Sequence, residues 1–192
     1  HVRLGWYLCQ DNLFIYMKLE EIARLADKIE GAFVDFGFGS GEDARLIFKL
    51  MLSDKIRTRD SYYVDLFEGG NKGIWPKAQD LCNELKNRLN KKGDFIKHRI
   101  GSTPLSIPSD IALAQLDLGS DNYEGIKELL PKMKKGGIII IKNYDNNIDK
   151  YINEVNSDST VFKLENISYI IKRSFYTKVE TKKVTRTKSD MF

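Results

Sequence analysis

Strand-like apolar runs and stretches with helical spacing alternate along this chain, and that alternation constrains its fold more than any other feature. Leu19, Ile22, Ala26 and Ile29 recur at helical intervals, and Gly31 closes that first helix. Ala32 to Phe36 reads as a buried strand, followed by the turn Gly37-Phe38-Gly39-Ser40-Gly41 and a helix running from Glu42 through Leu50 and Met51. Ser61 to Leu66 predicts a second strand, Ala78 to Leu89 a third helix, and Asp94 to Ile100 a third strand. The fourth strand is Ser109 to Asp117, the next helix Tyr123 to Lys134, and the fifth strand the run Ile138 to Ile141 behind Gly136-Gly137. Ile148 to Val155 reads as a last helix, with Thr160 to Leu164 and Ser168 to Lys172 as a closing β-hairpin. Such a pattern requires an α/β, doubly wound, mostly parallel sheet with helices on both faces, and it puts ligands at the carboxyl ends of the strands.

At 192 residues the chain suffices for one domain with a sizeable core. Residues 1–31 form an N-terminal helical segment, in which Tyr7, Phe14, Tyr16 and Met17 suit a lid or a homodimer contact. Residues 32–176 hold the main domain and 177–192 a basic tail. The net charge of +4 is concentrated from Lys172 onward, where seven basic residues face Glu180 and Asp190. The rest is slightly acidic, which disfavours a nucleic-acid groove across the domain. Neither D-P-P-Y nor N-P-P-Y, the grip of base-flipping amino methylation, occurs, and no Pro-Cys nucleophile pair is present. The apolar run Ile138 to Ile141 is far too short to span a bilayer. No basic segment followed by an apolar stretch marks the N-terminus, and Cys9 and Cys82 make no metal-type spacing, so a reducing, cytoplasmic setting is expected.

The glycine turn decides the ligand. A strand precedes it and a helix follows, as a nucleotide-binding turn demands. A dinucleotide site calls for G-x-G-x-x-G with pyrophosphate on the helix N-terminus. Here Glu42 and Asp43 occupy the first helical positions and would repel it, and Asp65 lies 24 residues past Gly41, beyond the usual spacing of the ribose acid. No G-K-[ST] follows, so a P-loop is excluded. S-adenosylmethionine, which carries a sulfonium and an ammonium and no phosphate, suits an acidic rim better. Asp35 is then expected to face its cationic part, the glycines to admit the backbone closely, and Asp65 to accept from the ribose hydroxyls.

The segments "FVDFGFGSG", "YYVDLFEGG" and the acid-ended fourth strand resemble the class I S-adenosylmethionine-dependent methyltransferases. "DLFEGG" together with "IALAQLDLGSDNYEGIKELLPKMKKGGIIIIKNYD" is similar to the macrocin O-methyltransferase family, over residues 32–145. The resemblance implies a seven-stranded, Rossmann-like sheet whose hairpin supplies the reversed strand. It implies that Gly37, Gly39, Gly41, Asp65, Leu66, Phe67 and Asp117 contact the cofactor, with Gly101-Ser102-Thr103 beside the adenine. It also implies Mg²⁺ held by carboxylates at the ends of strands four and five. Asp117 keeps the first of those positions, but Lys142-Asn143 stands where acids are expected.

A metal and an ammonium 4 Å apart repel by about 4 kcal/mol or more at an effective dielectric of 20. Lys142 therefore argues against a metal, either by pairing with Asp117 or Asp121 in its place or, on the blander reading, by extending outward from the strand end. Asp117, Asp121, Lys142, Asn143 and Tyr144 are the candidates for orienting an acceptor hydroxyl or taking its proton, with Tyr123 and Asp145 as further positions. Trp75-Pro76 suits an acceptor-pocket wall or packing, and His98, among apolar neighbours, reads as structural. The expected function is methyl transfer from S-adenosylmethionine to a small-molecule oxygen, a sugar hydroxyl being one candidate. A cofactor-binding protein without transferase activity, and a dinucleotide-dependent oxidoreductase, are the alternatives.

Overall fold

A computed structural model describes residues 18–66, 74–155, 159–163 and 168–172. Helix α1 covers 18–25. It is followed by β1 (Ala32–Phe36), α2 (Glu42–Leu52), β2 (Ser61–Asp65), α3 (Ile74–Leu89), β3 (Gly93–Lys97) and β4 (Ile111–Leu116). Then come α4 (Asn122–Leu129), β5 (Met133–Ile141), α5 (Asn147–Glu154), β6 (Ser159–Lys163) and β7 (Ser168–Lys172). The strands lie in the order β3-β2-β1-β4-β5-β7-β6. The first five are parallel, and β7 runs antiparallel to both β5 and β6.

The central strands are apolar throughout because both of their faces are covered. Every residue of β1 and of β4 is buried. Phe33 packs on the layer formed by Leu19 and Ile22 of α1 and Ile47 and Phe48 of α2. Val34 and Phe36 face the opposite layer, with Ile126 and Leu129 of α4 and Ile148 and Ile152 of α5. Asp35 and Gln115 are paired in register across β1 and β4, on the α2 side. The chain order reverses between β1 and β4, and this switch point is where such sheets bind ligands. Among the described residues no helix is long and apolar enough to cross a membrane.

Several boundaries differ from the sequence reading. The helix expected to reach Lys134 stops at Leu129. Pro131 sits in a 3₁₀ turn, Leu130–Lys132, where a missing N–H and a ring clash prevent another α-helical turn. Strand β5 then begins at Met133, and its register on β4 jumps from Ile111↔Met133 to Leu113↔Ile138. Residues 134–137 bulge out there, which masked the strand in the sequence. Helix α3 starts at Ile74, four residues early, because Pro76 is tolerated in a first turn. Strand β3 ends at Lys97, so His98 lies just beyond it. The lid or dimer residues Tyr7, Phe14, Tyr16 and Met17, and the basic tail, lie outside the described residues.

Arg59 joins the start of the sheet to α1. It is buried, and its guanidinium donates to the carbonyls of Ala26 (2.7 Å), Ile29 (2.7 Å) and Gly31 (3.0 Å). Burial, then the charge of Arg57, brings its pKa down to about 10, so it remains charged at neutral pH. A cavity of about 500 Å³ opens there, at the amino ends of β1 and β2, between Glu30, Arg57, Asp60 and Lys91. Its deepest cation is committed to the carbonyls of the segment that follows α1, and its wall mixes both signs of charge.

Candidate active site

At the carboxyl edge the chain leaves β1 through the glycine turn. Gly37 has φ +95°, and a Cβ built on it would lie 2.2 Å from the Asp117 carbonyl oxygen. No other residue fits this contact between the turn and the end of β4. Gly41, also left-handed with φ +74°, stands at the N-cap of α2. Between them Phe38 points inward, 2% exposed, and packs edge-on against Phe95 at 5.5 Å and tilted on Tyr63 at 5.4 Å. The aromatic anchor fixes a turn whose other residues are nearly bare backbone.

Asp65, the last residue of β2, accepts the Gly39 amide through Oδ2 at 3.0 Å. One carboxylate thus fixes the turn and also lines a cavity of about 500 Å³ over the switch point. Gly37, Gly39, Leu66, Asp117 and Asp121 share that wall, and Phe67 lies outside the described residues. The far wall is His98, Arg99 and Ile100. Ser102 is exposed, and its hydroxyl donates back to the Arg99 carbonyl rather than reaching the cavity.

Glu128 of α4 holds this far wall. Its Oε2 meets His98 Nε2 at 2.6 Å, and its Oε1 accepts the Gly101 amide at 2.8 Å. His98 is 6% exposed with its ring 6.0 Å from that of Phe36, so it is packed into the core while also lining the cavity. Glu128 itself had no signature in the sequence, because its partners lie some thirty residues away in the chain.

Asp35 does not face the cavity. It is 1% exposed, beneath α2, and neither its carboxyl oxygens nor the Gln115 amide group has a hydrogen-bond partner among the described residues. The expectation that it meets the cofactor's cationic part is corrected: Asp35 lies one residue short of the turn, on a strand covered on both faces. Burial first, then the charge of Asp43, pushes its pKa well above the ordinary carboxylate range; Asp117 and Asp65 add to this and Lys142 opposes it.

The folded protein therefore holds a proton that the unfolded chain has released above about pH 4. The stabilisation from this group is complete below the unfolded pKa and is lost as pH rises toward the folded one. Relative to Asp35→Asn, wild-type stability should fall by about 1.4 kcal/mol per pH unit across that window, measured by urea denaturation. A difference independent of pH would show that Asp35 is ionised.

Lys142, at the end of β5, neither pairs with Asp121 nor extends freely outward. Its Nζ donates to Asp43 Oδ1 at 2.6 Å and stands 3.8 Å from Asp117 Oδ2. The main partner, Asp43 in the first turn of α2, was read in the sequence only as an acid at a helix N-terminus. The backbone of Lys142 is fixed as well: its N–H donates to the Leu116 carbonyl at 3.1 Å, and its carbonyl accepts from Asn122 Nδ2 at 2.6 Å.

Asn122 is fully buried and clamps both strand ends, donating also to the Asn143 carbonyl at 3.0 Å and accepting the Leu118 amide at 2.8 Å. Asn143 takes φ +52°. Asn122→Ala should cost about 1–3 kcal/mol, since it removes three part-buried hydrogen bonds that tie two loops together. Urea denaturation checks this; a loss under about 0.5 kcal/mol would mean that the clamp is dispensable.

Tyr144 faces the other way from Lys142. It packs on the α4–α5 layer, and its hydroxyl donates to Asp149 at 2.6 Å beneath Lys163. Burial, then the bond to Asp149, drives its pKa far upward. Its hydroxyl therefore secures α5 and is poorly placed to serve an acceptor. Asp145 accepts from the Asn147 amide, as a local turn residue does.

A Mg²⁺ site does not fit these residues. Among the described residues no group of three His, Cys, Asp or Glu side chains is arranged to hold a metal ion, and an ammonium stands between Asp43 and Asp117. The residues present suit S-adenosylmethionine: Gly37 and Gly39 present backbone to the cavity, and Asp65, Asp117 and Asp121 give it carboxylates that favour a cation.

The sheet order and the cavity over its switch point define a Rossmann-like α/β fold. No protein-family model matches the sequence, and no curated protein matches it. Among solved structures, the O-methyltransferase NovP is similar with a TM-score of 0.60 at 15% identity, over 83% of this chain and 79% of that one. CalS11, a TDP-rhamnose 3'-O-methyltransferase of calicheamicin biosynthesis, gives 0.66 at 14% over 88% and 83%. A precorrin-6y C5,15-methyltransferase from Geobacter metallireducens gives 0.53 at 12% over 82% and 88%. At these identities the likeness establishes the fold.

Proposed function

We propose that this protein transfers a methyl group from S-adenosylmethionine to the oxygen of a small molecule, with a sugar hydroxyl as the acceptor class, and without a divalent cation. The observation that carries the reading is the acid-walled cavity over the glycine turn, tied together by the Asp65–Gly39 hydrogen bond. Its glycine floor admits a cofactor closely, and its carboxylates favour a cation. When bound, S-adenosylmethionine supplies an electrophilic methyl group on a sulfonium.

The residues of the chain divide the remaining work. Gly37 and Gly39 form the floor, Asp65 is the acceptor for ribose hydroxyls, and His98 to Ile100 wall the adenine side. Asp117 and Asp121 rim the side on which the acceptor enters. With the methyl group supplied by bound S-adenosylmethionine, Asp117 would take the proton of the acceptor hydroxyl and pass it to solvent. Alignment of the acceptor contributes most of the rate in such a transfer.

The sugar acceptor rests on the family resemblance and on the activity of CalS11, a TDP-rhamnose 3'-O-methyltransferase. The test is release of S-adenosylhomocysteine in the presence of nucleotide sugars, phenols and free sugars. Turnover with a hydroxylated acceptor in EDTA supports the reading. Cofactor binding with no turnover on any acceptor would favour a protein that has kept the pocket and lost the chemistry.

A further inference from the structure

Three carboxyl groups from three different elements converge on one ammonium. Asp43 of α2 bonds Lys142 Nζ directly, Asp117 at the end of β4 stands 3.8 Å away, and Asp35 of β1 lies within electrostatic range below. The Lys142 side chain is one-third exposed, as is that of Asp117, and Asp117 also lines the cavity. Asp43 is half as exposed, at 16%, and is committed to the pair. The backbone of Lys142 is held by Leu116 on one side and by Asn122 on the other. A lysine on a solvated strand end samples many rotamers, whereas this one is fixed at both ends, in the manner of a preorganised charge.

We propose that Lys142 is a built-in substitute for a divalent cation, with Asp43 as its positioning residue, and that its ammonium receives the negative charge that develops on the acceptor oxygen. The inference rests on the transferase reading and deepens it. It also explains why α2 carries an acid at Asp43, immediately after the cofactor turn. The pair links the element that holds the cofactor to the strand end that meets the acceptor, so both partners are oriented by a single contact.

A consequence independent of any acceptor follows. Exchanging Lys142 for an aspartate removes the ammonium and adds a third carboxylate beside Asp43 and Asp117, hard oxygen ligands of the kind that suit Mg²⁺ or Mn²⁺. Mn²⁺ binding is read by electron paramagnetic resonance on the full chain, with folding and S-adenosylmethionine binding measured on every variant. Wild type should show no Mn²⁺ site tighter than about 1 mM, the weak end of protein oxygen sites. Lys142→Asp should gain one site at least about tenfold tighter, lost again in the double variants with Asp43→Asn or Asp117→Asn.

Lys142→Gln, which is uncharged and closer in shape, provides a second arm: Mg²⁺ should raise its Tm and leave that of wild type unchanged. A wild-type Mn²⁺ site abolished by Asp117→Asn overturns the proposal. So does a folded Lys142→Asp or Lys142→Gln that responds to neither metal. Failure of S-adenosylmethionine to bind wild type would instead sink the transferase reading, so the two failures are distinguishable.

Discussion

Gly37→Ala should abolish S-adenosylmethionine binding and lower stability by at least about 3 kcal/mol. Two costs combine. A left-handed φ of +95° costs a residue with a Cβ about 1–2 kcal/mol. The larger cost is steric, because that Cβ would stand 2.2 Å from the backbone oxygen of Asp117 and 2.7 Å from its carbonyl carbon. Neither atom is a flexible side-chain end, so β4 and the turn must part, which opens the cavity floor. Gly101→Ala is the control, with φ +73° and nothing within 4 Å of its added methyl. It bears the conformational cost alone, about 1–2 kcal/mol. Urea denaturation of both variants separates the terms; a Gly37→Ala no worse than Gly101→Ala would show that the contact between turn and strand can relax.

Asp65→Ala should weaken S-adenosylmethionine binding at least a hundredfold, about 2.7 kcal/mol. The substitution removes the acceptor that holds the Gly39 amide and, in the same group, the acceptor offered to the ribose. Asp65→Asn separates the two duties. Its amide oxygen still accepts from Gly39, so the turn keeps its shape, while the charge-assisted bonds to the ribose are lost. The expected order of affinity is wild type, then Asn, then Ala, by calorimetry. If Asp65→Ala binds as tightly as wild type, the cofactor lies elsewhere.

The layout of the sheet was legible because parallel strands buried on both faces are written as unbroken apolar runs. Ala32 to Phe36 and Ile138 to Ile141 are of this kind, and both lie in strands of the structure. The turn after β1 was legible because its glycines are required by geometry. The first half of β5 was hidden by Lys134, Lys135 and the glycines of its bulge, which look like a loop.

The polar contacts of the site were much less accessible to sequence reasoning. Lys142 was recognised as standing in an acidic position, but its partner Asp43 is 99 residues away and could not be read from spacing. Asn122 and Glu128 act through equally distant partners and carry no motif. Asp35 was misjudged for a different reason. Its place beside the turn suggested exposure, whereas the alternation of β1 carries its side chain into the layer under α2, alongside Gln115.

Calorimetric titration of the purified chain with S-adenosylmethionine and, separately, with NAD tests the central claim most directly. One molecule of S-adenosylmethionine should bind per chain, at least about a hundredfold more weakly in Asp65→Ala and unchanged by EDTA, and NAD should give no heat. Binding of NAD with no heat from S-adenosylmethionine would contradict the account.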